Sequence, residues 1–263
     1  MAVVGTLTMK IVAIIQARMS SQRLPGKSLM DIQGQALLGH VIDRARASAT
    51  VDEVMLATTV EPVDAALEDY ARLKGVGTYR GSVQDVLDRF YQAALVAKAD
   101  VVVRVTADDP FKDPDVVDRV VRRLLDDHKL DYASNTITPT YPEGLDIECF
   151  RFAALARAWG EASQPSEREH VTPYIWKHPD LFRVENVTHA EDLSTMRWTI
   201  DYDRDLAFAR EVYKRLYHGQ VFRMHEILQL LREEPALAAI NTGFERNAGY
   251  LASIKQETPP KNL

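Results

Sequence analysis

The sequence predicts an α/β fold in which a mostly parallel sheet is flanked by helices. Three observations carry this. Apolar, largely β-branched runs alternate with amphipathic stretches three times within the first 128 residues; the connections are short; and charged or small residues gather where the apolar runs end. That alternation is the pattern of parallel strands joined by crossover helices, and such sheets bind ligands outside the carboxyl ends of their strands.

The elements follow in order. IVAIIQ opens as a buried strand, and ALLGHVIDRARAS (36–48) places Leu37, Leu38, Val41, Ile42 and Ala45 at helical spacing. EVMLATT (53–59) is a second strand. In PVDAALEDYARLKG, Pro62 suits a first helical position and Gly75 a stop. Ser82 and Asp85 resemble a capping box for the helix with Val86, Leu87, Phe90 and Ala94 inward. DVVVRVT (100–106) is a third strand, and Asp113 with Pro114 starts the next helix. Beyond residue 129 the order loosens. LDYASN, GLDIECF, FRVENVTH and MRWTI read as strands, RFAALARAWGEA as a helix, and Thr172 with Pro173 as the restart of a short one. Helices over about 203–218 and 224–233 close the fold, and 255–263 reads as a frayed tail. The expected layout is one domain over 10–235, with a leader at 1–9 and an extension at 236–263. Met9 is an alternative start.

Composition excludes several classes. A net charge of −6 opposes a surface devoted to nucleic acid. No apolar run approaches the roughly 20 residues of a membrane span, and MAVVGTLTMK is too short for a signal peptide. The single cysteine, Cys149, precludes an internal disulfide and fits a reducing, cytoplasmic setting, with packing as its role. Seven histidines show no zinc spacing.

Three loops could carry chemistry. The first, ARMSSQRLPGKS, leaves the opening strand with Arg18, Arg23 and Lys27 among Ser20, Ser21 and Gly26. Small residues let backbone N–H groups approach an anion and cations neutralise phosphate, so the loop reads as a phosphate cradle. It is not a P-loop, because Ser21 stands where that pattern requires glycine and no helical period follows Lys27. The second, VTADDPF, offers Asp108 and Asp109 at a strand end; adjacent residues cannot both point inward, which leaves Asp108 as a Mg²⁺ ligand and Asp109 as support. Asp before Pro is also an ordinary turn signal. The third, MRWTIDYDRDL, ends a short strand at Asp201, a possible partner for Asp108, while Asp203 and Asp205 favour a helix N-terminus.

Together IIQARMSSQRLPGKSL, RGSVQDVLDRFYQAA, RVTADDPFKDPDVVD, PEGLDIECF, REHVTPYIW and RWTIDYDRDL resemble the acylneuraminate cytidylyltransferase family. The spore-coat-polysaccharide type is the nearer branch, and the 3-deoxy-octulosonate cytidylyltransferases are more distant. The resemblance, over about 10–235, implies a Rossmann-like nucleotidyltransferase fold. It also implies Mg²⁺-dependent transfer of CMP from CTP to a sugar acid or related anionic acceptor, with pyrophosphate released, for surface polysaccharide. Carried over, it implies that Arg18, Arg23 and Lys27 hold the triphosphate, with Ala17, Ser20 and Ser21 adding contacts. It sets Mg²⁺ on Asp108 and Asp201, making Arg18, Lys27, Asp108 and Asp201 the catalytic set. Ala57, Thr58, Arg80, Gly81 and Ser82 would meet the nucleoside, while Asp146, Glu148, Arg168, Glu169 and His170 would face the acceptor, Glu148 serving as a base where one is needed. Ala107 and Ser20 depart from glycines common in relatives. A homodimer through 131–190 is implied, with Tyr174 and Trp176 as packing or subunit contacts. The alternatives are a transferase for another nucleotide and a sugar phosphate or phosphonate, a metal-dependent glycosyltransferase, and a non-catalytic nucleotide-binding module.

Overall fold

In the computed structural model, which describes residues 9–243 and 246–257, nearly every apolar run becomes sheet. The strands are β1 (Ile11–Gln16), β2 (Asp31–Ile32), β3 (Gln35–Ala36), β4 (Glu53–Thr59), β5 (Gly77–Gly81), β6 (Val101–Thr106), β7 (Tyr132–Ser134), β8 (Glu148–Arg151) and β9 (Val184–Asn186). The helices are α1 (Leu37–Arg46), α2 (Ala65–Leu73), α3 (Val86–Ala97), α4 (Pro114–Asp126), α5 (Phe152–Glu161), α6 (Pro165–His170), α7 (Pro173–Lys177), α8 (Asp203–Leu216), α9 (Met224–Glu233), α10 (Pro235–Ala238) and α11 (Ala248–Gln256). None is long and apolar enough to cross a membrane.

Seven strands form one sheet in the order β5-β4-β1-β6-β8-β7-β9. Its first half is parallel, with Gln16 in register with Ala57 on one side and Thr106 on the other. The second half is mixed, because β8 runs antiparallel to both β6 and β7. β1, buried in all but its last residue, alternates its side chains between two cores. Ile11, Ala13 and Ile15 join α1, α2, α4, α8 and α9 on one face, while Val12 and Ile14 join α3 and α5 on the other. The result is a mostly parallel sheet covered by helices on both faces.

Local chemistry sets the element ends. Asp113 caps α4, its Oδ1 accepting from the Asp115 N–H at 2.8 Å and the Val116 N–H at 3.3 Å, with Pro114 at the first helical position. Its Oδ2 accepts from the Met224 N–H and so fixes the start of α9. Gln33 and Gly34, both at positive φ, turn the β2–β3 hairpin. Gly144 is obligatory: at φ +102° a Cβ would lie 2.7 Å from the Trp198 carbonyl carbon.

Three expectations need correction. MRWTI is not a ladder strand; its backbone is held by single contacts, Trp198 N–H to Glu143 O at 2.7 Å and Ile200 N–H to Asp108 O at 2.9 Å. The cap of α3 is Asp85, which accepts from the Asp88 N–H at 2.9 Å, whereas the Ser82 hydroxyl accepts from the Asp85 N–H and shapes the preceding loop. Lys255 and Gln256 end a helix instead of opening a frayed tail; residues 1–8 and 258–263, within the expected leader and tail, lie outside the described residues.

One buried group makes the fold sensitive to pH. His40 is 3% exposed, donates from Nε2 to Ile32 O at 2.7 Å and packs on the Tyr213 ring at 4.3 Å. Burial pushes its pKa from 6.5 to about 4, with the Arg44 charge adding to the effect and the Ile32 bond opposing it. The unfolded chain therefore binds this proton before the folded one does, and stability falls as pH drops from 6.5 towards 4. A His40→Gln variant should lose part of that slope, up to about 1.4 kcal/mol per pH unit, in urea midpoints measured across the window. An unchanged slope would refute the assignment.

Candidate active site

The parallel half of the sheet presents its carboxyl ends as a line: Arg80 and Gly81 on β5, Ala57 and Thr58 on β4, Gln16 leading to Ala17 on β1, and Thr106 leading to Asp108 on β6. Three strand spacings separate its ends, roughly 14 Å at the usual 4.8 Å each. The opening loop crosses this line. Asp64, fully buried, accepts from the Met19 N–H at 2.7 Å, and the Gly26 N–H donates to Met19 O at 2.9 Å, which curls the loop back on itself. Gly26, at φ +74°, then starts the short turn that turns Lys27 inward.

Lys27 is the centre of the site. Only 7% exposed, its Nζ donates to Ile200 O at 2.6 Å, Asp108 Oδ2 at 2.8 Å and Asp201 Oδ1 at 3.0 Å. Burial opposes its charge, but the two carboxylates outweigh burial and raise its pKa. Asp201 also takes Arg23 Nη2 at 2.5 Å and Arg197 Nη2 at 2.9 Å. Despite burial, Lys27 and Arg23 hold its carboxyl down to about 2, so it is ionised at any working pH. Arg197 spans Glu143 at 2.7 Å and Asp205 at 3.0 Å as well, which fixes the MRWTID segment against the start of α8. Asp109 turns away from this cluster to Lys112 Nζ at 2.8 Å and the Thr106 hydroxyl at 2.6 Å.

Of these groups Arg23, Asp108, Asp109, Arg197 and Asp201 line one end of a cavity of about 560 Å³, which also reaches Asp146, Glu148, His170, Thr172 and Trp176. Glu148 accepts from Arg104, the Thr172 hydroxyl and, at 2.8 Å, the Tyr132 hydroxyl. Burial favours its protonation, yet Arg104 and the hydroxyls hold its carboxyl below the usual range. Glu148 thus faces the cavity as a fixed anion and is poorly suited to take a proton, contrary to the role of base. His170 and Thr172 flank Val171, whose φ of 72° and ψ of −54°, with Thr172 N–H to His170 O at 2.9 Å, define a strained γ-turn. A β-branched residue held there costs on the order of 1–3 kcal/mol. The turn sets the Thr172 hydroxyl on Glu148 and the His170 Nε2 3.0 Å from Ser253 Oγ.

Several expected residues lie elsewhere. Arg168 is spent on Asp85, Nε to Oδ1 at 3.1 Å, and on Trp159 O at 2.7 Å; Glu169 accepts from Ser253 Oγ at 2.9 Å; neither lines the cavity. The register of α6 explains this, since it turns Ser166 and Glu167 into the core and leaves 168 and 169 outside. Arg80, expected at the nucleoside, donates to Thr59 O at 2.9 Å, Glu61 O at 2.8 Å and Glu68 Oε2 at 3.2 Å, which ties β5 to α2, and it does not line the cavity. Arg18, Ser20 and Ser82 are exposed, Ser21 is half-buried, and Gly81 is buried beside Arg89; all lie off the cavity. Thr58 is fully buried with its hydroxyl unpartnered at the middle of the strand-end line.

Other residues of the site escaped the sequence reading. Arg104 was legible as the one charge inside VVVRV, and Arg197 as the charge before Trp198. Arg246, Asn247 and Tyr250, which also line the cavity, follow no motif.

Asp108 and Asp201 offer oxygen donors that converge on one cationic centre, now the Lys27 ammonium. A hard divalent ion with one or two protein carboxylates suits that set, so the pair fits Mg²⁺.

A sequence profile of the Cytidylyltransferase family matches residues 12–233. The chain is 32% identical to the spore coat polysaccharide biosynthesis protein SpsF of Bacillus subtilis, over 87% of this chain and 96% of that protein. It is 34% identical to a 3-deoxy-manno-octulosonate cytidylyltransferase of Pelobacter propionicus over 48% of this chain and 49% of that one. The structure of a cytidylyltransferase from Leptospira borgpetersenii superposes with a TM-score of 0.85 at 29% identity, covering 90% of this chain and all of that one.

Asp201→Asn keeps the side chain's size but removes the charge that Lys27, Arg23 and Arg197 share and turns one of its two acceptors into a donor. Turnover should fall at least about 100-fold, while the melting temperature drops by only a few degrees. Near-normal kinetics would dismiss the carboxylate pair. Lys27→Ala, by contrast, leaves two buried carboxylates facing one another and should cost stability as well as nucleotide affinity.

Proposed function

The chain belongs to the cytidylyltransferase family, and on that premise we propose that it transfers CMP from CTP to a sugar acid or closely related anionic acceptor, with Mg²⁺ required and pyrophosphate released. It is a CTP-dependent nucleotidyltransferase by family; acceptor, metal and acylneuraminate-type kinship are the inferred parts. One observation carries the reading: at the carboxyl end of a parallel sheet, a buried lysine and Arg23 share two carboxylates at the mouth of a cavity large enough for a small-molecule ligand.

The residues divide the work. Lys27 and Arg23 supply positive charge where negative charge builds on the phosphates, Arg18 adds a third cation from the exposed loop, and the carboxylates Asp108 and Asp201 are the groups that would hold the metal. Bound Mg²⁺ would neutralise phosphate charge and help the pyrophosphate depart. Because the network fixes these groups before substrate arrives, little reorganisation is needed during reaction. The acceptor oxygen, its proton passing to solvent where it is a hydroxyl, bonds to the α-phosphorus as the bond to the bridging oxygen breaks and pyrophosphate leaves with that oxygen, a displacement governed by positioning and electrostatics. At the far end of the cavity Glu148 orients Arg104 and Thr172, groups with N–H and O–H bonds suited to a polyhydroxylated acid.

The kinship with SpsF supports a role in surface polysaccharide, and the single cysteine fits a reducing cytoplasm. A homodimer through 131–190 belongs to the same reading, supported by Trp159, which is 36% exposed and stacked on Tyr91 at 4.2 Å.

Pyrophosphate release should be measured with Mg²⁺ and each of CTP, UTP, GTP and ATP against sugar acids, phosphonates and sugar phosphates. Release is expected with CTP and a sugar acid, and to cease on chelation of the metal. Release with another nucleotide alone, or undiminished activity in chelator, would contradict the proposal.

A further inference from the structure

Residues 246–257 lie beyond the span of the family profile, yet they return to the cavity and close its acceptor end. No residue described in α11 is fully buried. The helix is attached instead by polar and aromatic contacts: Ser253 Oγ bonds Glu169 and His170, Glu257 accepts from the Ser166 N–H at 2.8 Å, and the Tyr250 ring stands edge-on to His170 at 5.1 Å and Trp176 at 5.9 Å. Before it, the Asn247 N–H donates to Glu143 Oε1 at 3.1 Å.

Resting on the cytidylyl-transfer reading, we propose that this C-terminal segment forms one wall of the acceptor site, with Arg246 and Tyr250 facing His170 and Thr172 and selecting a sugar that carries a carboxylate. An open hydrogen-bonding position singles out Arg246. Of the other arginines that line the cavity, Arg23 is engaged by Asp201, Arg104 by Glu148 and Gln16, and Arg197 by three carboxylates, Glu143, Asp201 and Asp205. Arg246 has one carboxylate partner, Asp146, supplemented by the carbonyls of Tyr141 at 3.0 Å and Ser194 at 3.4 Å, and its Nε is buried with no hydrogen-bond partner. The Tyr250 hydroxyl is likewise buried and unpartnered. Two unmet polar groups on one short segment, beside a cavity lined by hydroxyl, carboxylate and imidazole groups, are completed by a ligand that brings its own donors and acceptors. The Trp176 and Tyr250 rings add apolar faces for the C–H side of a sugar. His170, held neutral down to about pH 4 by burial and the Arg104 charge, contributes a polar edge without a competing charge.

The test uses the full chain with CTP, Mg²⁺ and 3-deoxy-manno-octulosonate as probe. Arg246→Gln and Tyr250→Phe should each raise the KM of the sugar acid about tenfold, the size expected for a lost hydrogen bond to a charged ligand, and leave the KM of CTP unchanged. In hydrogen exchange, the sugar acid should slow peptides covering 246–257, and CTP alone should not. Turnover with unchanged sugar-acid KM and no protection of the segment would overturn the wall and leave the transfer reaction standing. An equal rise for both substrates would reduce the segment to a structural prop and overturn the proposal too. Protection of 246–257 without any turnover would uphold the binding site while dismissing the reaction.

Discussion

The structure turns on a single buried ammonium. Lys27 lies at the carboxyl end of the sheet with Asp108 and Asp201 as its counter-charges, and each of the three comes from a different part of the chain. Taking such charges out of water is expensive, and the cost is met only when attraction and hydrogen bonds are nearly complete. Here they are, through Ile200 O on the lysine and through Arg23 and Arg197 on Asp201. The constraint then propagates. Lys27 requires the curled loop that Asp64 pins, Asp108 requires the break after β6, and Asp201 requires a segment that leaves the sheet and runs beside it.

A cluster with this much internal pairing is preorganised for phosphate chemistry. Under the proposed reaction a polyphosphate would meet cations whose positions are already fixed by carboxylates, and the oxygen donors that the lysine now shares would hold the metal. The other end of the cavity follows a different logic. Glu148 is satisfied by three donors and held in place by a strained turn at Val171, while Arg246 and Tyr250 retain unmet hydrogen-bonding groups.

Much of this was written in the chain. Strand ends, the positive loop and the two carboxylates were legible because buried parallel strands read as unbroken apolar runs and the charges at their ends stand out against them. MRWTI misled because an apolar segment packed on loops carries the same signal as a strand, and only neighbouring backbone distinguishes them. Arg168 and Glu169 were carried over to the acceptor with His170 by the family resemblance, but the register of a short helix turned them outward. The C-terminal wall was invisible for a physical reason: α11 buries no apolar stripe, so its composition is that of a tail, and its position depends on partners 80 to 100 residues away.

The most direct test of the central claim is Mn²⁺ binding followed by electron paramagnetic resonance, with phosphorus relaxation of CTP recorded in the same samples. Bound Mn²⁺ should broaden the phosphate resonances in the wild-type protein, and both signals should weaken together in Asp108→Asn and Asp201→Asn. Wild-type protein that binds CTP tightly but never brings Mn²⁺ to its phosphates, or variants that bind the ion as well as the parent, would contradict the account.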